Sequence, residues 1–499
     1  MSAASSSYAA ADTRYVPAFL PDAVPARLRL ALAIADVLWN PDPEGLVVLD
    51  IGCGRGITTC VLAAANPSWQ VIGLDLQPAH IAEARELAAE AGLDNCRFLE
   101  VDLAELGEAE AAALIPEADL ALCYGVWTWV PDKVRDGIVR LLRGRLKAGG
   151  IALMGYNALP GSADGIVLQR ILEEAARGEP GHEAARGAAA LERLERLRAA
   201  EARCLPPPAT LATIMEHCRV APAYLAHEYF TPFWRPVFHS DLARALAPAR
   251  LDYAGPVPPG LGVREISLSA EQRAAIDAMP PAMDRELLRD LFTARSFRKD
   301  IFIRGRRPGG RALLAQMRFA LIVAPEATRI EFDTHAGRAR LPAPAEAALL
   351  GALAEGPKSL AELAALPAIG RLPPLDLALI LAETQVALPL WREPPGDARA
   401  LARAAACNQV LVRRLANEAG ESRSSLGFAV PALGGAIELV PFELGVAAAL
   451  QAGVAADPAV LAQHLTAGTD PEVTSGIAGL LRDHLGAWRA LGVMPPAAA

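Results

Sequence analysis

Val47-Val48-Leu49-Asp50-Ile51-Gly52-Cys53-Gly54-Arg55-Gly56 is the stretch on which the reading of this chain turns. A short apolar run ends in a glycine loop, and a helix is expected from about Thr58 to Ala65. Glycine lets the backbone turn tightly and approach a ligand, and a helix N-terminus attracts a carboxylate. A dinucleotide fold would carry GxGxxG after its first strand. Here the spacing is GxGxG and an acid precedes it, which argues against NAD.

Working outward, the same strand-then-helix unit repeats. Val71 to Leu74 is the next apolar run and ends at Asp75, followed by a helix over Pro78 to Ala91. Arg97 to Val101 ends at Asp102, and Ala118 to Cys123 ends in an aromatic loop. Val134 to Leu146 reads as a helix closed by Lys147-Ala148-Gly149-Gly150, and Ile151 to Tyr156 as a fifth strand. Apolar runs separated by helix-length segments mean an α/β, Rossmann-like, doubly wound parallel sheet. Its ligand edge lies at the carboxyl ends of the strands. Asp75, 25 residues after Asp50, stands there and can accept both hydroxyls of a ribose. Asp102 is placed to accept from an adenine amino group. A single acid at a strand end is ordinarily a cap, but three in register with a glycine loop point to a nucleoside ligand.

These residues resemble the class I S-adenosylmethionine-dependent methyltransferases over roughly residues 30–160 and 222–258. The resemblance implies that Gly52, Gly54 and Gly56 border the methionine part of S-adenosyl-L-methionine, Asp75 the ribose and Asp102 the adenine. It further implies cofactor contacts from Asp50, Leu76, Leu103 and Tyr124, with Tyr15 closing over from an N-terminal arm.

Four other stretches narrow the resemblance. They are Cys123 to Pro131 with Val134-Arg135-Asp136, Gly155 to Gly161, His227 to Pro232 running on to Phe238-His239, and Phe292 to Arg298. Together they are similar to bacterial methyltransferases that carry a methyltransferase regulatory domain, a group that includes protein-lysine methyltransferases acting on outer-membrane surface proteins. The similarity spans about residues 15–305. Two departures leave the acceptor open. The family's histidine after the strand-four cysteine is Tyr124, and its Thr-Tyr-Pro-Gly-Trp-His loop is Ala158-Leu159-Pro160-Gly161-Ser162-Ala163 here.

With 499 residues the chain has room for about three domains. We expect an N-terminal arm over 1–29, a methyltransferase core over 30–160 and 222–258, a helical insertion over 161–221, a middle or regulatory region over 259–325 and a C-terminal domain over 326–499. Leu191, Leu194 and Leu197 share one side of the insertion, which reads as an ordinary surface helix or as a lid or homodimer element. The last strand of the core has two candidates, Val263 to Leu268 and Asp300 to Arg304. Three helices over 345–383 before a strand at Val386 to Leu390 suggest a winged-helix-like fold.

Composition excludes several functions. The best apolar stretch, Gly427 to Ala456, is broken by Pro431, Glu438, Pro441 and Glu443, so no membrane span is expected. Seven cysteines form no CxxC, as in free thiols of a reducing cytoplasm, and no metal-spaced histidine cluster is present. A net charge of −9 argues against a nucleic-acid footprint. The cluster Arg295, Arg298, Lys299, Arg304, Arg306 and Arg307 reads as a solvated helix end.

Methyl transfer from a sulfonium is an in-line displacement whose leaving group is already supplied, so the protein must position a neutral nucleophile. An amine acceptor with a reference pKa of ~10.4 must first lose a proton, which a dry aromatic pocket favours. Candidates are Trp127 and Trp129 after strand four, and Tyr156 and Asn157 at the end of strand five. Asn157 can accept from an amine through its carbonyl, and Tyr156 can shape or polarise the site. His227, on a stretch reaching the same edge through Trp234, is a candidate proton relay. The expected activity is N-directed methyl transfer, on protein lysine in the leading reading. The alternatives are a small-molecule N- or O-methyltransferase and a non-catalytic cofactor-binding regulatory protein.

Overall fold

A computed structural model describes residues 17–179, 183–207, 211–212, 215–216, 230, 233–370, 372–394, 397–421, 424–466 and 470–493. Tyr15 and His227 lie outside the described residues.

The central sheet uses β1 (Val47–Ile51), β2 (Gln70–Asp75), β3 (Cys96–Glu100), β4 (Ala118–Tyr124), β5 (Leu146–Leu159), β6 (Leu251–Pro256) and β7 (Phe297–Arg304). Their order across the sheet is β3-β2-β1-β4-β5-β7-β6, and the two-residue strand Val237–Phe238 pairs with the end of β5. β1 to β5 are mutually parallel, whereas β7 runs antiparallel to both β5 and β6. The strand left open between two candidates is therefore the one containing Asp300 to Arg304; Arg264–Ser267 is a helical turn instead. β7 carries the main sheet into the stretch after residue 258.

Side-chain alternation builds two cores on the two faces of this sheet. Val48, Leu120, Leu122, Ile151, Leu153, Ile301 and Ile303 face one way. Leu49, Ile51, Ala121, Cys123, Ala152, Met154, Tyr156 and Phe302 face the other, covered by the helices Asp132–Arg145 and His239–Leu246. The helix Ile57–Ala65 is buried around its whole circumference, with all nine of its residues covered. Such a helix needs cover on both sides. The sheet provides one, and the C-terminal helix Ala398–Glu421 provides the other through Cys407, Val410 and Leu411.

In the insertion, the helices Ala163–Ala176 and Glu183–Ala199 pack on each other through Leu168, Leu172, Ala190 and Leu194. The leucine side is thus divided, with Leu194 buried and Leu197 exposed. In the C-terminal part, the helices Ala343–Ala354, Leu360–Ala364 and Pro374–Thr384 precede the strand Ala387–Pro389. That strand pairs antiparallel with Arg318–Leu321, which also pairs with Lys358–Ser359. No helix among the described residues is long and apolar enough to cross a membrane.

Arg306 and Arg307 of the arginine cluster are exposed, but Arg295 and Arg298 are not part of a solvated helix end. Arg298 is 1% exposed, and Arg295 is also buried. Arg298 donates to Asp300 Oδ2 at 2.7 Å, Asp290 Oδ2 at 2.7 Å and Glu286 Oε2 at 2.8 Å. Arg295 Nε donates to Asp290 Oδ1 at 2.7 Å. The helix Arg285–Thr293 supplies two of these carboxylates and β7 the third, so the counter-charges come from folding and not from solvent. Lys299 pairs with Asp22 at 2.6 Å, and Arg304 donates to the Arg143 carbonyl at 3.0 Å.

Candidate active site

The glycine loop leaves β1 at the carboxyl edge of the sheet. Gly52, Gly54 and Gly56 have φ of +76°, +51° and +74°, a region other residues seldom adopt. A Cβ on Gly52 would stand 2.3 Å from Val126 Cγ2, so this glycine is also required by packing. Around Gly54 the position of a Cβ meets nothing within 4 Å, which leaves an open cradle over the loop.

Asp75 organises that cradle. Its Oδ2 accepts from the Gly54 amide at 2.9 Å and its Oδ1 from the Gln77 amide at 2.9 Å. A carboxylate has about four lone-pair sites, so these two amides leave capacity for ribose hydroxyls, with His80 Nδ1 also 3.4 Å from Oδ1. Asp102, just past β3, accepts from the Ala104 amide at 2.8 Å. Leu76 is half-buried beside Asp75. Leu103 is a core residue: its side chain packs with the helix Asp132–Arg145, and its carbonyl accepts from Arg140 at 3.3 Å. Tyr124 ends β4 with its ring 5.3 Å from that of Phe297. Leu20, in the described part of the N-terminal arm, donates its amide to Thr58 Oγ1 at 3.1 Å, which brings the arm onto the helix that the loop opens.

Asp50 lies beneath the loop, buried, and accepts from Thr59 Oγ1 at 2.7 Å. Burial pushes its carboxyl up to about 6 against the Thr59 hydrogen bond, and the nearby Asp75 adds to the rise. A carboxyl raised in the fold above its unfolded value favours the protonated form. Its contribution to stability is therefore present below pH ~4, falls as pH rises from there through about 6, and stays low above. Asp50→Asn is expected to remove that slope in denaturant midpoints between pH 4 and 7. An unchanged slope would mean that Asp50 titrates normally.

The acceptor candidates separate. Asn157 stays at the edge: its Oδ1 accepts from Thr128 Oγ1 at 2.9 Å and from Trp234 Nε1 at 3.3 Å. The Trp129 and Trp234 rings lie 6.0 Å apart beside it. Both carbonyl lone pairs of Asn157 are thus engaged, so an amine accepted there has to displace one of these donors. Trp234 reaches this place because Arg235 N donates to Thr128 O at 2.8 Å and Val237–Phe238 pairs with Ala158–Leu159. Gly165 of the insertion admits the Trp234 ring; a Cβ there would stand 2.8 Å from it.

Tyr156 and Trp127 do not stand at this edge. Strand alternation turns Tyr156 to the face opposite Asn157, where it is fully buried. Its hydroxyl donates to Asp300 Oδ2 at 2.6 Å and lies 3.3 Å from His239 Nδ1. Burial first, and the Asp300 charge second, push the Tyr156 hydroxyl well above its usual range, so it keeps its proton at neutral pH and cannot serve as a base. Trp127 is buried in the core under the helix Asp132–Arg145, and its carbonyl accepts from Arg135 Nε at 2.8 Å. Thr128, fully buried, had no signal in the sequence beyond its place between two tryptophans.

Residues 48–150 match the model of a methyltransferase domain, and residues 221–304 match that described as a predicted methyltransferase regulatory domain. The chain is a class I S-adenosylmethionine-dependent methyltransferase. S-adenosyl-L-methionine is its methyl donor. The open cradle at Gly54 and the spare acceptor capacity of Asp75 fit that cofactor. The regulatory-domain match ends at Arg304, the last residue of β7, so it contains both β6 and β7 of the catalytic sheet.

The methyltransferase is similar to an uncharacterized protein of Synechocystis, with 29% identity over 362 residues and 70% of each chain covered. Trans-aconitate 2-methyltransferase of Escherichia coli is 34% identical over 85 residues, which are 17% of this chain and 29% of that enzyme. In fold it resembles PKMT2 from Rickettsia typhi, with a TM-score of 0.67 and 18% identity over 94% of this chain and 98% of that one. PKMT2 in complex with AdoHcy matches with a TM-score of 0.66.

Proposed function

We propose that this methyltransferase transfers the methyl group to a nitrogen, with protein lysine as the acceptor class. The observation that carries the reading is the cluster of Asn157, Thr128, Trp129 and Trp234 at the carboxyl edge of β4 and β5. S-adenosyl-L-methionine supplies a sulfonium methyl with its own leaving group. The chain then has to hold a neutral acceptor in line. Indole walls exclude water and favour the uncharged amine, and their faces attract the methylated ammonium that leaves. The Trp234 contact to Asn157, at 3.3 Å, is the longer of the two and is the one an incoming amine can displace. The fold-level likeness to PKMT2, a protein lysine methyltransferase, supports the acceptor class. In the same reading Gly52, Gly54 and Gly56 hold the methionine part, Asp75 the ribose and Asp102 the adenine, in a cytoplasmic enzyme.

A small-molecule acceptor is the second reading. It is favoured by the commitment of the Asn157 carbonyl, which leaves its amide N–H groups to orient an acceptor oxygen, and by the match to trans-aconitate 2-methyltransferase.

Radiolabelled methyl transfer into cell extract separates the two: label in the protein fraction, recovered as methyl-lysine, supports the first, and label confined to the small-molecule fraction supports the second. Asn157→Ala should lower turnover by on the order of 100-fold while sparing cofactor affinity. Undiminished turnover would remove Asn157 from the acceptor site.

A further inference from the structure

Arg55 stands between the second and third glycines of the loop, and its side chain is 2% exposed. Its Nε donates to Glu83 Oε1 at 2.9 Å, and its Nη2 donates to the same oxygen at 2.5 Å. Nη2 also donates to Glu418 Oε2 at 2.9 Å, and Nη1 pairs with Glu418 Oε1. Glu83 belongs to the helix Pro78–Glu90 that follows Asp75, whereas Glu418 is in the last turn of the C-terminal helix Ala398–Glu421. One guanidinium therefore fastens the glycine loop to two elements at once, one of them more than 300 residues away.

The rest of that helix makes ion pairs that miss the loop. Arg414 pairs with Glu86 at 2.8 Å, Arg413 pairs with Glu90 at 2.7 Å, and Arg403 pairs with Asp94. The first two hold the same two helices together and the third ties the C-terminal helix to the turn before β3, but none touches a residue from Gly52 to Gly56. The Arg55 contact is thus separable from docking itself.

We propose that Glu418 is a positioning residue for the methyl-donor site, so that the C-terminal region fixes the glycine loop in the shape that accepts the donor. The proposal rests on the glycine loop and Asp75 holding the cofactor. A loop with three left-handed glycines has many shapes open to it, and affinity falls with the fraction of molecules in the competent one. The Gly54 amide bond to Asp75 restrains the loop from one side. Arg55, held between Glu83 and Glu418, restrains it from the other.

The test is calorimetric titration of full-length variants with S-adenosylhomocysteine, together with initial rates at varied S-adenosylmethionine. Glu418→Gln keeps the volume and removes the charge. It should weaken binding roughly tenfold and raise KM for the donor, with kcat at saturating donor within about twofold. Glu86→Gln breaks a pair on the same interface and should leave affinity within about twofold of the parent. In the Glu83→Gln, Glu418→Gln double variant the buried guanidinium loses both of these carboxylates, and the loss should exceed the product of the single losses. Melting temperatures taken on every variant show that each is folded.

Equal effects of Glu418→Gln and Glu86→Gln would reduce the contact to ordinary docking and overturn the proposal. So would unchanged affinity in Glu418→Gln while Asp75→Ala binds weakly. If Asp75→Ala also binds normally, the donor-site reading underneath has failed.

Discussion

Asp300→Ala is expected to destabilise the fold by about 3–5 kcal/mol, the cost of breaking a buried ion and hydrogen-bond network by removing one member. Asp300 is fully buried, and it gathers three groups that have no water to turn to. Tyr156 donates to its Oδ2 at 2.6 Å and Arg298 at 2.7 Å, and His239 Nδ1 lies 3.1 Å away. Those groups come from β5, from β7 and from the helix His239–Leu246, so the carboxylate joins the catalytic sheet to the segment that matches the regulatory-domain model. Alanine would leave the Tyr156 hydroxyl with only the longer contact to His239 and leave Arg298 with the carboxylates of Asp290 and Glu286. A denaturant midpoint with an unchanged m-value measures the loss. A loss below about 1 kcal/mol would show that water or a shifted partner replaces the carboxylate.

The same group sets an acid limb. Burial would raise the Asp300 carboxyl, but the Arg298 charge and the hydrogen bonds from His239 and Arg298 outweigh it and hold it at about 2. A carboxyl depressed in the fold contributes stability that is complete above its unfolded value near 4 and is lost as pH falls toward 2. Asp300→Asn should lack that limb.

Asp75→Ala is expected to weaken binding of S-adenosylhomocysteine by roughly 1.5–3 kcal/mol, or about tenfold to more than a hundredfold. The structure argues for the upper end. In the proposed reading alanine removes the acceptor for ribose hydroxyls, and it also frees the Gly54 amide that Asp75 holds at 2.9 Å. Asp75→Asn keeps one carbonyl acceptor for that amide, so it should lose less. Titration of both variants, with circular dichroism to show that they are folded, decides the matter. Parent-like affinity in folded Asp75→Ala would take Asp75 out of the ribose role.

Legibility in the sequence followed the range of the interaction. The glycine loop and the three acids could be read directly because their geometry depends on a strand, a turn and a helix start within a few residues of each other. The misplacement of Tyr156 came from the same source. Adjacent positions at the end of a strand look equivalent in sequence, yet alternation sends Asn157 to the ligand edge and Tyr156 into the core. Thr128 and Trp234 became part of the candidate site only because a chain segment more than 75 residues downstream of Asn157 returns to pair with the end of β5.

The arginines at 295 and 298 mark the limit of charge counting. In sequence they belong to a basic run, which ordinarily means a solvated surface. Three carboxylates on Glu286, Asp290 and Asp300 instead form a buried network with them, because a helix and a neighbouring strand fold over the same spot.

From its residues alone the chain is readable as an α/β protein with a glycine-rich loop after its first strand and acids at the ends of its strands. Those properties follow from local apolar runs and from backbone shapes that glycine alone adopts freely. Which strand completes the sheet, which side chains face its carboxyl edge and that Glu418 reaches the glycine loop were settled by the tertiary fold. Each of these depends on surfaces that meet across hundreds of residues, where the cost of burying a charge or an amide is settled by whatever partner the fold brings to it.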